Sequence, residues 1–168
     1  FFGAFVLLVN KNFVNLWMGD SFYLGSYSNL LIVLIMINLV LGRIEGQIQD
    51  LSLKIKKKVI TGAVFSILSV VFGIVGFNFF EGKIEGMFLG ILIGRILLNL
   101  VFSNMVNNMM KMSTNYFQFI YIILFLTGAF FLERYIPQVQ SWWMFVLICF
   151  AIGVLLFVLC FELFLSKI

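Results

Sequence analysis

The chain has 168 residues, of which 63% are hydrophobic and 11% charged, with a formal net charge of +4 and a mean hydropathy of +1.15. A soluble domain carries about 25% charged residues, so this composition excludes one and reads as an integral membrane protein. The positive excess comes mostly from one loop, which makes it a topology signal rather than a nucleic-acid footprint, and no nucleic-acid partner is expected.

The sequence predicts an all-α polytopic membrane protein: a single bundle of six transmembrane helices over about 1–18, 27–46, 59–80, 84–106, 116–132 and 142–164. So many apolar segments are not explained by a signal peptide. No separate soluble domain is expected. Phe1 is not an initiator methionine and the first segment begins at once, so the chain is expected to be part of a longer one.

The first segment ends in NKNFVNLWMGD, with Trp17 where an interfacial aromatic belongs. Lys11 and Asn15 share a face at i, i+4. Lys11 lies about 12 Å in from the Gly19 end, at about 1.5 Å per residue. It is either a second cation within the membrane slab or a residue whose stem snorkels to the interface. An aromatic loop, 20–26, precedes the second segment, whose helix is expected to continue past the membrane. Asn38, Gly42, Glu45 and Gln49 fall on one face of it. That stripe either lines the inner mouth of a cavity or is the wet face of a helix end. Lys54, Lys56, Lys57 and Lys58 are assigned to a short basic loop, read as cytoplasmic, where membrane lipid of negative charge could also bind.

In the third segment Gly62, Ser66, Ser69, Gly73 and Gly76 recur along one side as a small-residue packing seam. Glu81 to Glu85 form a net-acidic turn. The fourth segment, IEGMFLGILIGRILLNLVFSN, holds Arg95 at its centre. Arg95, Asn99 and Ser103 stack at i, i+4 and i+8, while Gly86, Gly90 and Gly94 form a doubled small-xxx-small pattern on a neighbouring face. A charge at the bilayer centre costs from about 3 to well over 10 kcal/mol, so Arg95 must face protein or water. It is either a functional site or a structural arginine bonded to backbone carbonyls or a neighbouring carboxylate. The fifth segment carries Gln118 and Tyr121 on one face; Glu133, Arg134, Tyr135 and Pro137 are assigned to a loop with an aromatic rim. Cys149 and Cys160 share the last segment, three turns apart and too far to bond, and read as packing residues.

Alternate loops divide the charges seven to two: Arg43, Lys54, Lys56, Lys57, Lys58, Lys111 and Lys167 against Lys83 and Arg134. The larger set, and with it the C-terminus, is placed in the cytoplasm. Trp17, Tyr23, Tyr135, Trp142 and Trp143 then mark the outer interface.

Enzyme chemistry is missing. There is no histidine, no nucleotide-binding glycine loop, no metal-ligand cluster and no carboxylate pair aimed at one centre, so neither an enzyme nor a cofactor is expected. The two likenesses GRIEG and GKIEG, at 42–46 and 82–86, sit at helix ends and carry no repeat. Intramembrane cations with amide neighbours suit an anion, because arginine clamps a phosphate bidentately and a low dielectric strengthens the contact. The ligand class is a lipid-linked phosphate or pyrophosphate. Asn99, Ser103 and Gln118 either face sugars or bond neighbouring helices.

The run from NKNFVNLWMGD through KVITGAVFSILSVVFGIVGFNFFEGKIEGMFLGILIGR resembles the second half of polysaccharide-unit flippases, including those for O-antigen. These belong to the multidrug/oligosaccharidyl-lipid/polysaccharide transporter superfamily. Trp17, Met18 and Gly19 and the GIVGF at 73–77 carry the likeness, which covers most of residues 7–110. The resemblance implies two six-helix bundles facing each other around a cationic cavity, this chain being the C-terminal one and the missing N-terminal bundle its partner. It implies translocation of undecaprenyl-pyrophosphate-linked sugar units across the bacterial inner membrane by alternating access. The resemblance carries no ligand role onto a named position; from the residues themselves, Arg95 would hold the phosphate with Lys11 assisting, Asn99 and Ser103 would face the sugar or bridge to it, and Asn15 and Gln118 are further substrate-binding candidates. The alternatives are a drug or ion antiporter of the same architecture, for which Glu45 is the available carboxylate, and a non-transporting membrane subunit, in which Arg95 pairs internally.

Overall fold

The computed structural model describes residues 2–51, 55–110 and 116–165, with side chains omitted at 109–110, 116–123 and 159–165. Lys54, Lys111 and Lys167 therefore lie outside the described residues, as do the side chains of Gln118, Tyr121 and Cys160.

The described chain is all-helical, with no strand among the described residues. Six α-helices follow in order: α1 (Phe2–Trp17), α2 (Ser26–Leu51), α3 (Ile55–Phe79), α4 (Ile84–Met110), α5 (Tyr116–Leu132) and α6 (Trp142–Leu165). Short 3-10 turns at Asp20–Phe22 and Glu133–Tyr135 follow α1 and α5. Three helices, α2, α3 and α4 up to Asn108, are long and apolar enough to cross a membrane. Large apolar side chains stay exposed along them, among them Val64, Ile67, Val71, Ile74 and Ile93. Such a surface is consistent with a membrane protein, because lipid, unlike water, accepts it without cost.

Helix boundaries follow the sequence signals closely, with one informative departure. α2 runs past the apolar span to Leu51, as expected of a helix that continues beyond the membrane, since nothing between Gly46 and Leu51 breaks it. The described part of the lysine cluster is not a loop: Lys56, Lys57 and Lys58 lie in the first turn of α3. Lysine is a good helix former, and no proline or glycine intervenes before Gly62. Lys58 bridges back to Asp50 of α2 at 2.6 Å. Both side chains are partly exposed, so the pair contributes at most about 1 kcal/mol.

The chain divides into two compact units, one comprising Phe1–Leu30 with Phe117–Ile168 and the other Leu31–Tyr116. In the first, α1 packs antiparallel on α6: Phe5 lies against Gly153, and Phe13 against Trp142 and Phe145 at ring distances of 6.3 and 6.1 Å. Phe13, Trp17, Trp142 and Phe145 make a continuous aromatic cluster at one end of this unit. The start of α2 and both 3-10 turns gather at the same end through polar contacts described below.

In the second unit α3 and α4 form a tight antiparallel hairpin. The turn between them is a Schellman-type cap, in which the Gly82 N–H bonds the Phe77 carbonyl at 2.9 Å and Glu81 takes a left-handed φ of 56°. Both small-residue patterns meet in the contact. A Cβ on Gly90 would run into the Phe72 carbonyl, one on Gly86 into the Gly76 carbonyl, and one on Gly94 would lie 2.5 Å from Ser69 Oγ. The α3 seam is therefore real from Ser69 to Gly76. Its predicted first half is not part of it: nothing lies within 4 Å of a Cβ built on Gly62, and Ser66 is exposed.

Candidate functional site

Arg95 sits eleven residues into α4, about 17 Å from its start at about 1.5 Å per residue. Gly94 beside it packs on Ser69 of α3, which fixes the rotation of α4 and turns Arg95 away from that contact. The side chain is half-buried. Its Nε is fully buried and has no hydrogen-bond acceptor, and the guanidinium forms no hydrogen bond or ion pair with a described residue. A buried donor without an acceptor costs more when it carries charge. The internal partner that a structural arginine requires is thus missing among the described residues.

The face running down α4 from Arg95 meets α2. Asn99 Nδ2 donates to the Asn38 carbonyl at 2.8 Å and to Asn38 Oδ1 at 3.0 Å. Its Oδ1 lies over Gly42, 2.6 Å from where a Cβ would stand. Glu45, one turn further along α2, has a buried, unpartnered Oε2. At Asn38 and Gly42 the α2 stripe is consequently a polar helix–helix contact and not a free wet face. Asn99 has both amide hydrogens committed to α2, so of the two roles open to it the structure displays the bridging one. Glu45 forms no ion pair with Arg95.

The α1 residues lie in the other unit. Lys11 is half-buried, and Asn15 Oδ1 is buried without a donor. Their neighbours carry the bonds. Asn12, 4% exposed, donates to the Pro137 carbonyl at 3.1 Å and accepts from Val139 N–H at 3.4 Å, which straps the 136–139 segment to α1. Asn10 donates to Asn29 Oδ1 at 2.9 Å, and Asn29 Nδ2 to the Leu7 carbonyl at 3.3 Å. The structure therefore joins Asn99 to α2, places Ser103 half-buried further along α4, and leaves Arg95, Lys11 and Asn15 without described partners. Gln118 has no described side chain.

Glu133 is the residue that sequence reasoning missed. Assigned to an aromatic-rimmed loop, it is 3% exposed. Its Oε1 accepts from the Tyr23 hydroxyl at 2.5 Å and the Ser26 hydroxyl at 3.1 Å, and its Oε2 is buried with no donor. Burial first, then the bond to Glu133, push the Tyr23 hydroxyl well above the usual phenol range. Only its flanking Leu132 and Arg134 are local, and both are exposed; the groups that bury it are more than a hundred positions away.

The chain matches no protein-family model, no curated protein and no solved structure.

Proposed function

We propose that this chain is one bundle of a membrane transporter that moves a lipid-linked glycan unit, carried on a phosphate or pyrophosphate, across the bacterial inner membrane by alternating access. In this reading all six helices span the membrane, the lysine-rich end and the C-terminus lie in the cytoplasm, and the facing surface is supplied by a second bundle. One observation carries it: a guanidinium at the middle of a bilayer-length helix, with buried Nε and no acceptor or counter-ion among the described residues. Such a group attracts an anion, and a phosphate supplies the paired acceptors that its planar fork requires. The resemblance to polysaccharide-unit flippases names the anion as undecaprenyl-pyrophosphate-linked sugar. Lys11 and Asn15 supply further cationic and amide character from α1. Asn99 holds α4 to α2 and so fixes the direction in which Arg95 points, and Ser103 faces the sugar or bridges to it.

A drug or ion antiporter of the same architecture is the second reading. It requires a buried carboxylate, and Glu133 meets that requirement better than Glu45 does, since Glu45 is only half-buried. A subunit that merely packs beside an enzyme fits less well, because it needs Arg95 paired within the protein.

Complementation of cells lacking the whole protein separates these. With Arg95→Gln at normal membrane abundance, the flippase reading expects surface glycan to be lost and lipid-linked units to accumulate. Unchanged surface glycan would remove Arg95 from the transport path. Lost abundance would make it a packing residue.

A further inference from the structure

The end of the first unit where α1, α2, α5 and α6 begin or finish holds a carboxylate that phosphate binding at Arg95 does not use. Glu133 projects from the 3-10 turn after α5 and is 3% exposed. The hydroxyls of Tyr23 and Ser26 both donate to one oxygen, at 2.5 and 3.1 Å. The second oxygen, Oε2, is equally buried and receives nothing. No basic side chain among the described residues lies within ion-pair distance. The ionisable groups on the surrounding elements near this end are Lys11 on α1, Asp20 and Tyr23 before α2, Tyr27 in its first turn, and Arg134 and Tyr135 in the same turn. Of these only Tyr23 bonds to Glu133. A carboxylate withdrawn from water needs a compensating charge, and hydrogen bonds from two neutral hydroxyls supply dipoles only.

We propose that Glu133, with the hydroxyl oxygens of Tyr23 and Ser26, binds a small monovalent metal cation of the sodium class. The donor set consists of oxygen alone, which suits a hard cation and not a thiophilic or imidazole-seeking one. The charge is one carboxylate against neutral neighbours, so a single positive charge neutralises the site, whereas a divalent ion would leave an excess in a buried place. Tyr23 and Ser26 spend their hydrogens on Oε1, which leaves oxygen lone pairs for a metal. Because the Tyr23 phenol is held protonated, its hydroxyl stays neutral at any physiological pH. Asn29, one turn into α2 from Ser26, is anchored by Asn10 and the Leu7 carbonyl and so helps to hold the start of α2 in place.

Position gives the site its consequence. Its ligands come from segments 107 and 110 residues apart, the approach to α2 and the exit of α5. Tyr23 stands between Gly19 and Gly25, both at positive φ (99° and 95°), in a segment whose backbone path only glycine adopts without strain at those points. An occupying cation ties that segment to the exit of α5, and an empty site leaves it held by hydrogen bonds to an uncompensated charge. That the ion drives the transport cycle rests on the proposed function; that it binds does not.

The test uses the whole protein purified into lipid nanodiscs, with thermal unfolding followed in sodium chloride and in choline chloride at equal ionic strength. A ligand that binds only the folded state raises the midpoint in a saturable way. The expected result is a midpoint that climbs and levels off with sodium, climbs less with potassium, and no longer responds to sodium in Glu133→Gln. Tyr23→Phe, which removes one ligand oxygen and keeps the ring, is expected to raise the half-saturating sodium concentration several-fold. Equal midpoints in sodium and choline for the wild type would overturn the site, as would a full sodium response in Glu133→Gln. Should Glu133→Gln fail to fold, the wild-type comparison and Tyr23→Phe still decide the matter. No lipid-linked substrate enters the assay, so failure here leaves the flippase reading standing, and failure of that reading leaves the site standing.

Discussion

Among the polar residues of α1, the ones that matter for stability are not the ones that periodicity singles out. Lys11 and Asn15 are conspicuous because a cation and an amide share a face of an apolar helix. Asn12 is less conspicuous, yet its amide alone ties residues 137 and 139 to α1. Asn12→Ala is expected to destabilise the protein by about 1–3 kcal/mol, since it leaves the buried Val139 N–H and the part-buried Pro137 carbonyl without their partner. Loss of more than that range, or no change, in a denaturant or thermal series on the whole protein would contradict the strap. Tyr23 gives a pH signature at the same scale. Its folded pKa is raised above the unfolded value of 10.0, so the folded state holds the phenolic proton more tightly. The resulting stability is complete below pH 10 and is lost progressively as pH rises above it. Wild type is therefore expected to lose midpoint temperature between about pH 10 and 12 more steeply than Tyr23→Phe. Parallel curves would mean that Tyr23 is not buried against Glu133. Arg95 was legible in the sequence because one charge in a bilayer-length apolar run needs no context. Glu133 was not, since its burial depends on Tyr23 and Ser26 across more than a hundred residues, and no local pattern encodes a contact of that span.

At the scale of elements, helix positions were largely readable because long apolar stretches separated by short polar breaks leave few alternatives. The start of α3 was misjudged for a physical reason: a lysine run signals solvent, but lysine also extends a helix, and here it does both. The α3–α4 hairpin supplies the sharpest test. Periodicity placed Gly62, Ser66, Ser69, Gly73 and Gly76 on one seam, but periodicity alone does not say where two helices diverge. The structure ends the close contact at Ser69 and Gly94. Gly90→Val is accordingly expected to block the hairpin, because its Cβ would occupy the place of the Phe72 carbonyl. Gly62→Ala meets nothing within 4 Å. It is expected to be neutral or to stabilise by up to about 1 kcal/mol through helix propensity. Membrane abundance and thermal midpoint of the two variants check this together. Comparable losses in both would show that the seam extends the full length of α3.

For the whole molecule, the described helices supply three lengths that suit a bilayer, exposed apolar surface to match, and two compact units each with its own polar seam. The number of spans and the orientation rest on loop charge and aromatic placement, which are properties of sequence in relation to a membrane rather than of internal contacts. Function rests on one residue more than on any other. If Arg95 holds the phosphate of a lipid-linked glycan, its charge matters to transport itself and not only to folding. The most direct measurement reconstitutes the complete protein in vesicles containing a pyrophosphate-linked oligosaccharide lipid, and follows with a membrane-impermeant glycan probe how much substrate reaches the outer leaflet. Wild-type protein is predicted to translocate the lipid, Arg95→Lys to retain part of the rate, and Arg95→Gln to lose it at equal incorporation. Translocation by Arg95→Gln at the wild-type rate would contradict the assignment.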